Sequence, residues 1–230
     1  MSPLKEVTIT SSDKTFVSIR TDIVNGVILA GSKLNETELS TKYQVSRAII
    51  RESINKLVNT NLVERKSNVG AKVVTLSHQG LIQLYQVRES LEGMAARLAA
   101  QNMSENEIER LQILLDEHFE GVKNSESYYQ EAGDVDFHYR IALGTHNQYL
   151  MAMLMDNIYH LVRMYRVQLG MVGPRVTTAF SEHQHIAQAI ANRDPELAEL
   201  LMRRHITYSM NNIAPKLLTN KNALHREDHA

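Results

Sequence analysis

The sequence predicts a mainly α protein in two parts, a head of three helices and a hairpin followed by an all-α antiparallel bundle. Three observations lead there. Apolar residues recur every three or four positions along most of the chain. Strand-like segments are confined to residues 62–74. Charge and histidine content also change near residue 76: residues 1–75 hold eleven Lys/Arg, seven Asp/Glu and no histidine. The head therefore carries +4, and since the chain's net charge is −1, the remainder carries −5 together with all ten histidines. A basic, His-free segment joined to an acidic, His-rich one indicates two domains with different tasks. Their boundaries are expected at 1–76 and 77–217, with a polar tail at 218–230 expected to be disordered.

Phe16, Ile19, Ile23 and Val24 fall at helical spacing, and Gly26 suits the stop after them. After the turn Ala30-Gly31-Ser32, Asn35 and Glu38 form a capping-box pattern for a short second helix with Leu39 inward. Tyr43-Gln44-Val45 turns the chain into a third helix opened by Ser46. Its buried stripe is Ile50, Ile54, Leu57 and Val58, while Arg47, Arg51 and Asn55 occupy the opposite side. Leu62-Val63-Glu64 and Ala71-Lys72-Val73-Val74 read as two short strands around Ser67-Asn68-Val69-Gly70.

A short helix turning into a polar-faced one, followed by a hairpin, is the winged helix-turn-helix layout. A helix fits the DNA major groove, and donors in its first turns meet base edges and phosphates. Arg47, Arg51 and Asn55 supply such donors, Ser46 and the helix start suit a phosphate, and Arg65 and Lys66 on the wing suit the backbone or minor groove. For a single helix, two outward arginines are more often merely solvated; the whole arrangement is more specific.

With these residues in place, Ile19 to Val74 resembles the DNA-binding domain of GntR-family bacterial regulators. The resemblance rests on Ile23, Gly26, Gly31, Leu34, Glu36, Leu39, Val45-Ser46-Arg47, Arg51-Glu52, Leu62-Val63 and Gly70-Ala71-Lys72-Val73. It adds Gly70 to the wing residues expected at DNA. Departures from the family's pattern are Ala30 in place of Pro, Ala48-Ile49 in place of Thr-Pro, Asn61 in place of Gly and Val69 in place of Arg.

The body is rich in Leu, Met, Ala and Ile, and helices are expected at about 78–101, 104–123, 126–145, 147–170, 174–192 and 195–214. Asp134 and His138 lie four apart on one face with Ile141. His183 shares a stripe with Ala179, Ile186 and Ile190, and His205 one with Leu197, Leu201 and Tyr208. One carboxylate and three imidazoles on inward faces form an N/O donor set for a divalent first-row metal. An inward histidine taken singly is more often a hydrogen-bonded core residue, and periodicity does not show convergence. His185 falls off the stripe and is expected at the surface.

Residues 79–210 resemble the FCD ligand-binding domain of FadR-type regulators, through Arg88, Leu91-Glu92, Ala95-Ala96, Asp134-x-x-Phe137-His138, Glu182-His183 and Arg204-His205. The resemblance implies that Asp134, His138, His183 and His205 bind a metal, zinc foremost with nickel or manganese as alternatives. Arg88 interrupts an apolar stripe, and a buried arginine needs an anion. Glu92 or Glu89 is the internal candidate; the family's sensing of organic acids points instead to a small carboxylate effector, a short hydroxy-, di- or tricarboxylate. Asn157, Arg163 and Tyr165 are further effector candidates, and the methionines at 151, 153, 155, 164 and 171 read as core packing.

Composition narrows the function classes. Of 230 residues 43% are hydrophobic and 22% charged, an ordinary globular balance. Cysteine is absent, which removes disulfides, thiolate metal sites and cysteine nucleophiles. No apolar run approaches a membrane span and no signal-peptide pattern opens the chain, so a cytoplasmic protein without membrane contact is expected. The leading expectation is a transcriptional regulator, a repressor as the family resemblance implies, that binds a pseudo-palindromic operator as a homodimer under control of a carboxylic acid. One helix-turn-helix covers too short a half-site for genomic specificity, hence the dimer. The alternative is a metal-dependent hydrolase or lyase using the Asp/His centre, which leaves the head without a task and lacks a general base or nucleophile motif.

Overall fold

Thr10 starts the first helix. In the computed structural model, which describes residues 10–66, 70–123, 136–169 and 175–227, its hydroxyl accepts from the Asp13 N–H while Asp13 accepts from the Thr10 N–H. This reciprocal cap satisfies two N–H groups that a helix start otherwise leaves open. The chain divides into two compact units, residues 1–75 and 76–230.

The first unit contains α1 (Ser11–Val24), α2 (Glu36–Tyr43) and α3 (Arg47–Asn59). Asn35 caps α2 and Ser46 caps α3 through side-chain oxygens. Between them Gln44 takes a left-handed conformation (φ 55°), which turns the chain sharply into α3. Ile19, Ile23, Ile50, Ile54 and Leu57 are buried where α1 crosses α3. Strands β1 (Val63–Lys66) and β2 (Gly70–Val73) pair antiparallel, Val63 opposite Val73 and Lys66 opposite Gly70. The outer edge of β2 is covered by residues 31–34: Gly31 N–H donates to Val73 C=O, and Leu34 N–H to Ala71 C=O. The head therefore has the expected winged helix-turn-helix layout. The turn residues Ser67, Asn68 and Val69 lie outside the described residues.

In the second unit α4 (His78–Asn102) lies along α10 (Pro195–Glu227). Ala95, Ala96, Ala99 and Ala100 are buried on α4, and small side chains let helix axes approach closely. Gly93 serves the same packing, since a Cβ there would come within 2.8 Å of Arg203 Cγ. α5 (Glu105–Lys123), α6 (Phe137–Leu143) and α9 (Arg175–Ala191) complete the core with Leu111, Leu115, Phe137, Ile141, Ile186 and Ile190. A final run comprises α7 (Gln148–Ala152), a π-helical segment (Met153–Ile158) and α8 (Tyr159–Leu169).

Three boundaries differ from the sequence reading. The helix expected over 126–145 is described only from Phe137, where Asp136 caps it; residues 126–135 lie outside the description. The helix expected over 147–170 is interrupted by the π segment. Its buried residues Leu150, Leu154, Ile158 and Val162 recur every four positions, wider than the 3.6 of an α-helix. The last helix, expected to end near 214 before a disordered tail, continues past Pro215 to Glu227. Good helix formers such as Lys, Leu and Ala follow that proline, and no glycine stop does.

Candidate DNA-reading face and metal centre

On the head, the hydroxyl of Ser46 accepts from the Ile49 N–H and so fixes the start of α3. Arg47 and Arg51 extend from α3 largely exposed, and both meet Glu36 at the start of α2. Arg51 is held twice: Nε donates to Glu36 Oε1 at 3.2 Å and Nη2 to Oε2 at 2.8 Å. Arg47 Nη2 stands 3.9 Å from the same carboxylate. One turn further along, Asn55 Oδ1 accepts from Arg65 Nη2 of the wing at 2.7 Å. Lys66 pairs with Glu64 at 3.0 Å, and Gly70 opens β2 at φ +89°. Of the residues expected at DNA, Arg47 and Arg51 thus share one carboxylate, and Asn55 pairs with Arg65 of the wing. Glu36 holds the two arginines together, and the sequence reading gave that glutamate no role at DNA.

In the body the three inward histidines converge. His138, His183 and His205 are buried, and one ligand nitrogen from each lies within 4.8 Å of the others. The Nε2 atoms of His183 and His205 are 3.2 Å apart. Two nitrogens bound to one tetrahedral zinc at ~2.1 Å stand roughly 3.4 Å apart, so this spacing fits such an ion. The rings are steered from behind. Glu92 Oε2 faces His138 Nδ1 at 2.5 Å, and Glu182 Oε2 faces His205 Nδ1 at 2.6 Å. A carboxylate accepts, so each Nδ1 carries the proton and each Nε2 presents a lone pair inward. Burial first, then the neighbouring imidazoles, holds His183 well below the usual histidine range, and burial pushes His205 down to about 3. Neutral imidazole is the form that binds a metal. Phe137 stacks on the His183 ring at 4.2 Å. Asp134, the fourth expected ligand, lies outside the described residues. His185 is exposed.

Arg88 sits beside this cluster, only 2% exposed. Its Nε donates to Glu92 Oε1 at 2.5 Å, the internal partner weighed above, and Nη2 lies 3.5 Å from His138 Nε2. Burial alone would raise the Glu92 pKa, but the Arg88 charge and the hydrogen bonds from Arg88 and His138 outweigh it and hold the carboxyl well below its ordinary range. Arg88 Nη1 has no hydrogen-bond partner among the described residues. Two narrow pockets meet at this guanidinium. One is lined by all three histidines, Arg166 and Ser209; the other, larger one by Glu92, Asp136, Arg163, Arg166 and the apolar Leu154, Met155, Ile158 and Val162.

The remaining expected effector residues separate. Arg163 borders the larger cavity with its guanidinium over the Tyr159 ring. Tyr165 is spent elsewhere: its hydroxyl accepts from the Ser77 N–H and donates to the Ser77 C=O, both at 3.2 Å, at the start of α4. Asn157 lies in the π segment, its side chain outside the description. Sequence reasoning missed Glu182 and Arg166. Glu182 adjoins His183 in sequence, yet it serves His205 on the next helix, and nothing in the spacing shows that.

A family model described as "FCD domain" matches residues 83–208, and one described as "Bacterial regulatory proteins, gntR family" matches residues 12–73. The chain belongs to the GntR family of regulators, in the group with an FCD domain. Among curated relatives, the HTH-type transcriptional regulator LutR of Bacillus subtilis is 28% identical over 80% of this chain and 93% of its own. The HTH-type transcriptional repressor GlaR of Escherichia coli is 27% identical over 87% and 94%. Among solved structures, E. coli McbR/YncC shares the fold, with a TM-score of 0.75 and 15% identity over 91% of this chain and 99% of that one. This GntR/FCD protein is a transcriptional regulator, and its relatives are regulators rather than enzymes, which leaves the hydrolase or lyase alternative without support. Among the described residues no helix is long and apolar enough to cross a membrane.

Proposed function

We infer that the protein is a repressor that binds a pseudo-palindromic operator as a homodimer and releases it when a small carboxylic acid binds beside a metal in the FCD domain. One observation carries the effector half: Arg88 is buried between the imidazole cluster and a cavity, with one guanidinium nitrogen unpartnered. An unpaired buried N–H group is costly, and a carboxylate is the acceptor its fork fits. His138, His183 and His205 would hold the metal, joined by Asp134 as the family resemblance implies. Bound there, a divalent ion would supply open coordination positions to a carboxylate oxygen. Zinc and nickel fit the imidazole set, whereas manganese would depend on the Asp134 carboxylate. The apolar wall of Leu154, Met155, Ile158 and Val162 suits an acid with a short hydrocarbon portion.

The DNA half rests on Ser46, Arg47, Arg51, Asn55, Arg65, Lys66 and Gly70, which share the α3 and wing surface of a family whose members bind operators. Dimerisation is supported by exposed apolar side chains on the packed helices α4 and α10, Val87, Met94, Leu197, Leu200 and Tyr208. A second copy of the chain would cover them.

The test is a titration of operator affinity against candidate acids, with metal and retained small molecules identified in the purified protein and molar mass measured by light scattering. The reading expects a dimer, a bound divalent metal and an acid that weakens operator binding. A metal-free monomer indifferent to every acid would overturn it.

A further inference from the structure

We propose that Glu36 is a specificity-determining residue, which fixes the guanidinium of Arg51 for reading a base while keeping it from the phosphates. The inference rests on the reading that α3 faces DNA. Arg51 is exposed, and a free arginine at the major groove can reach either a phosphate or a base edge. Glu36 accepts from Nε and Nη2 of Arg51 together, so one edge of the fork is occupied. The edge formed by Nη1 and the second Nη2 hydrogen remains, and that edge matches the paired acceptors O6 and N7 of guanine. The carboxylate is also placed where Arg47 approaches within 3.9 Å.

Stability does not explain the arrangement. Arg51 and Arg47 are largely exposed, at 58% and 62%, and Glu36 is partly so, at 27%; ion pairs this close to solvent contribute little. Nor does helix capping require it, because Asn35 already caps α2 with its own side chain. The arginines keep Glu36 ionised, with the Arg51 hydrogen bonds as the main cause. A negative charge held on a DNA-facing surface opposes non-specific binding, which is almost wholly electrostatic. Glu36 therefore weakens attraction to any duplex and sharpens preference for the correct one, a repulsive element of the kind specificity needs.

The experiment compares wild type, Glu36→Gln and Arg51→Ala in the full-length protein. Each is titrated with a short duplex that the wild type selects from a randomised pool, and with a shuffled duplex, over a salt series. Glu36→Gln keeps the shape and removes the charge. It is expected to bind the shuffled duplex more tightly, to lose roughly tenfold in discrimination, and to show a salt slope steeper by about one phosphate contact. Neither change is expected of a residue that only props up the fold, which would weaken both duplexes together and lower the melting temperature. That pattern overturns the proposal. So does an unchanged ratio in Glu36→Gln when Arg51→Ala abolishes discrimination. If Arg51→Ala itself discriminates as wild type does, the DNA-facing assignment of α3 fails first, and the role of Glu36 fails with it.

Discussion

His183 and His205 face each other through their Nε2 atoms at 3.2 Å, inside a core that also buries His138. Three imidazoles with converging lone pairs repel unless a proton or a cation lies between them. Replacing His183 or His205 with Ala should therefore remove bound divalent metal and the thermal stabilisation that the metal gives by mass action. Elemental analysis and melting curves with and without chelator measure both. A wild type that purifies metal-free and gains no stability from any divalent ion would show that these rings serve packing alone.

The same burial sets a pH dependence for the metal-free protein. Burial pushes His205 down to about 3 and His183 well below its ordinary 6.5. On these rings the unfolded chain takes up protons near pH 6.5 while the folded one resists until far lower. Stability must rise with pH wherever the unfolded state binds more protons. It is thus complete above about pH 6.5 and declines progressively toward pH 3. Urea unfolding of chelated protein across that range should show the decline, and His183→Asn/His205→Asn should flatten it.

Arg88 and Glu92 form a buried ion pair whose second carboxylate oxygen orients His138. Arg88→Met leaves Glu92 buried with a single partner and should destabilise by about 3–5 kcal/mol, as breaking a buried pair does. Arg88→Met/Glu92→Gln should recover part of that loss. Chemical denaturation of the singles and the double gives the coupling. If the pair is independent of the effector, the folded double variant will still respond to the acid that releases wild type.

On the head, Arg47→Ala and Arg51→Ala should each lose specific operator binding by on the order of 1–3 kcal/mol while the fold persists. Both side chains are largely exposed and outside the Ile50, Ile54 and Leu57 core. Gel shifts beside circular dichroism decide it; unchanged affinity in both would remove α3 from the DNA.

Tyr165→Phe deletes the two contacts to Ser77 and should cost about 1 kcal/mol. The loss should appear as faster amide exchange in the first turn of α4. Equal exchange there would mean that the Ser77 cap alone holds that end.

The periodic parts of this chain were legible because each helix carries its own record of which face is inward. Arg47, Arg51 and Asn55 on one side of α3, and His183 among buried Ala179, Ile186 and Ile190, follow from spacing of 3.6 residues per turn, whereas His205 is buried beside Met202 and Ile206 while Leu197 and Tyr208 of its expected stripe are exposed. What spacing cannot carry is contact between helices. The links from Glu36 to Arg51, Glu92 to His138 and Glu182 to His205 join residues 15, 46 and 23 positions apart. Arg88 illustrates the limit within one helix: Glu92 was visible four residues on, but its second oxygen and the unpartnered Nη1 depend on neighbours the stripe does not name.

The π segment Met153–Ile158 inserts the equivalent of one extra residue between α7 and α8. At 3.6 residues per turn, one residue is a rotation of about 100° about the helix axis. Arg163 and Arg166 thereby face the cavity beside Arg88, whereas an uninterrupted α-helix leading out of α7 would swing both to another side. A one-residue deletion in this segment would leave composition, charge and length nearly unchanged. It would still turn two cations away from the cavity, so the angular phase of this one helix, more than the identity of its residues, sets how positive that chamber is.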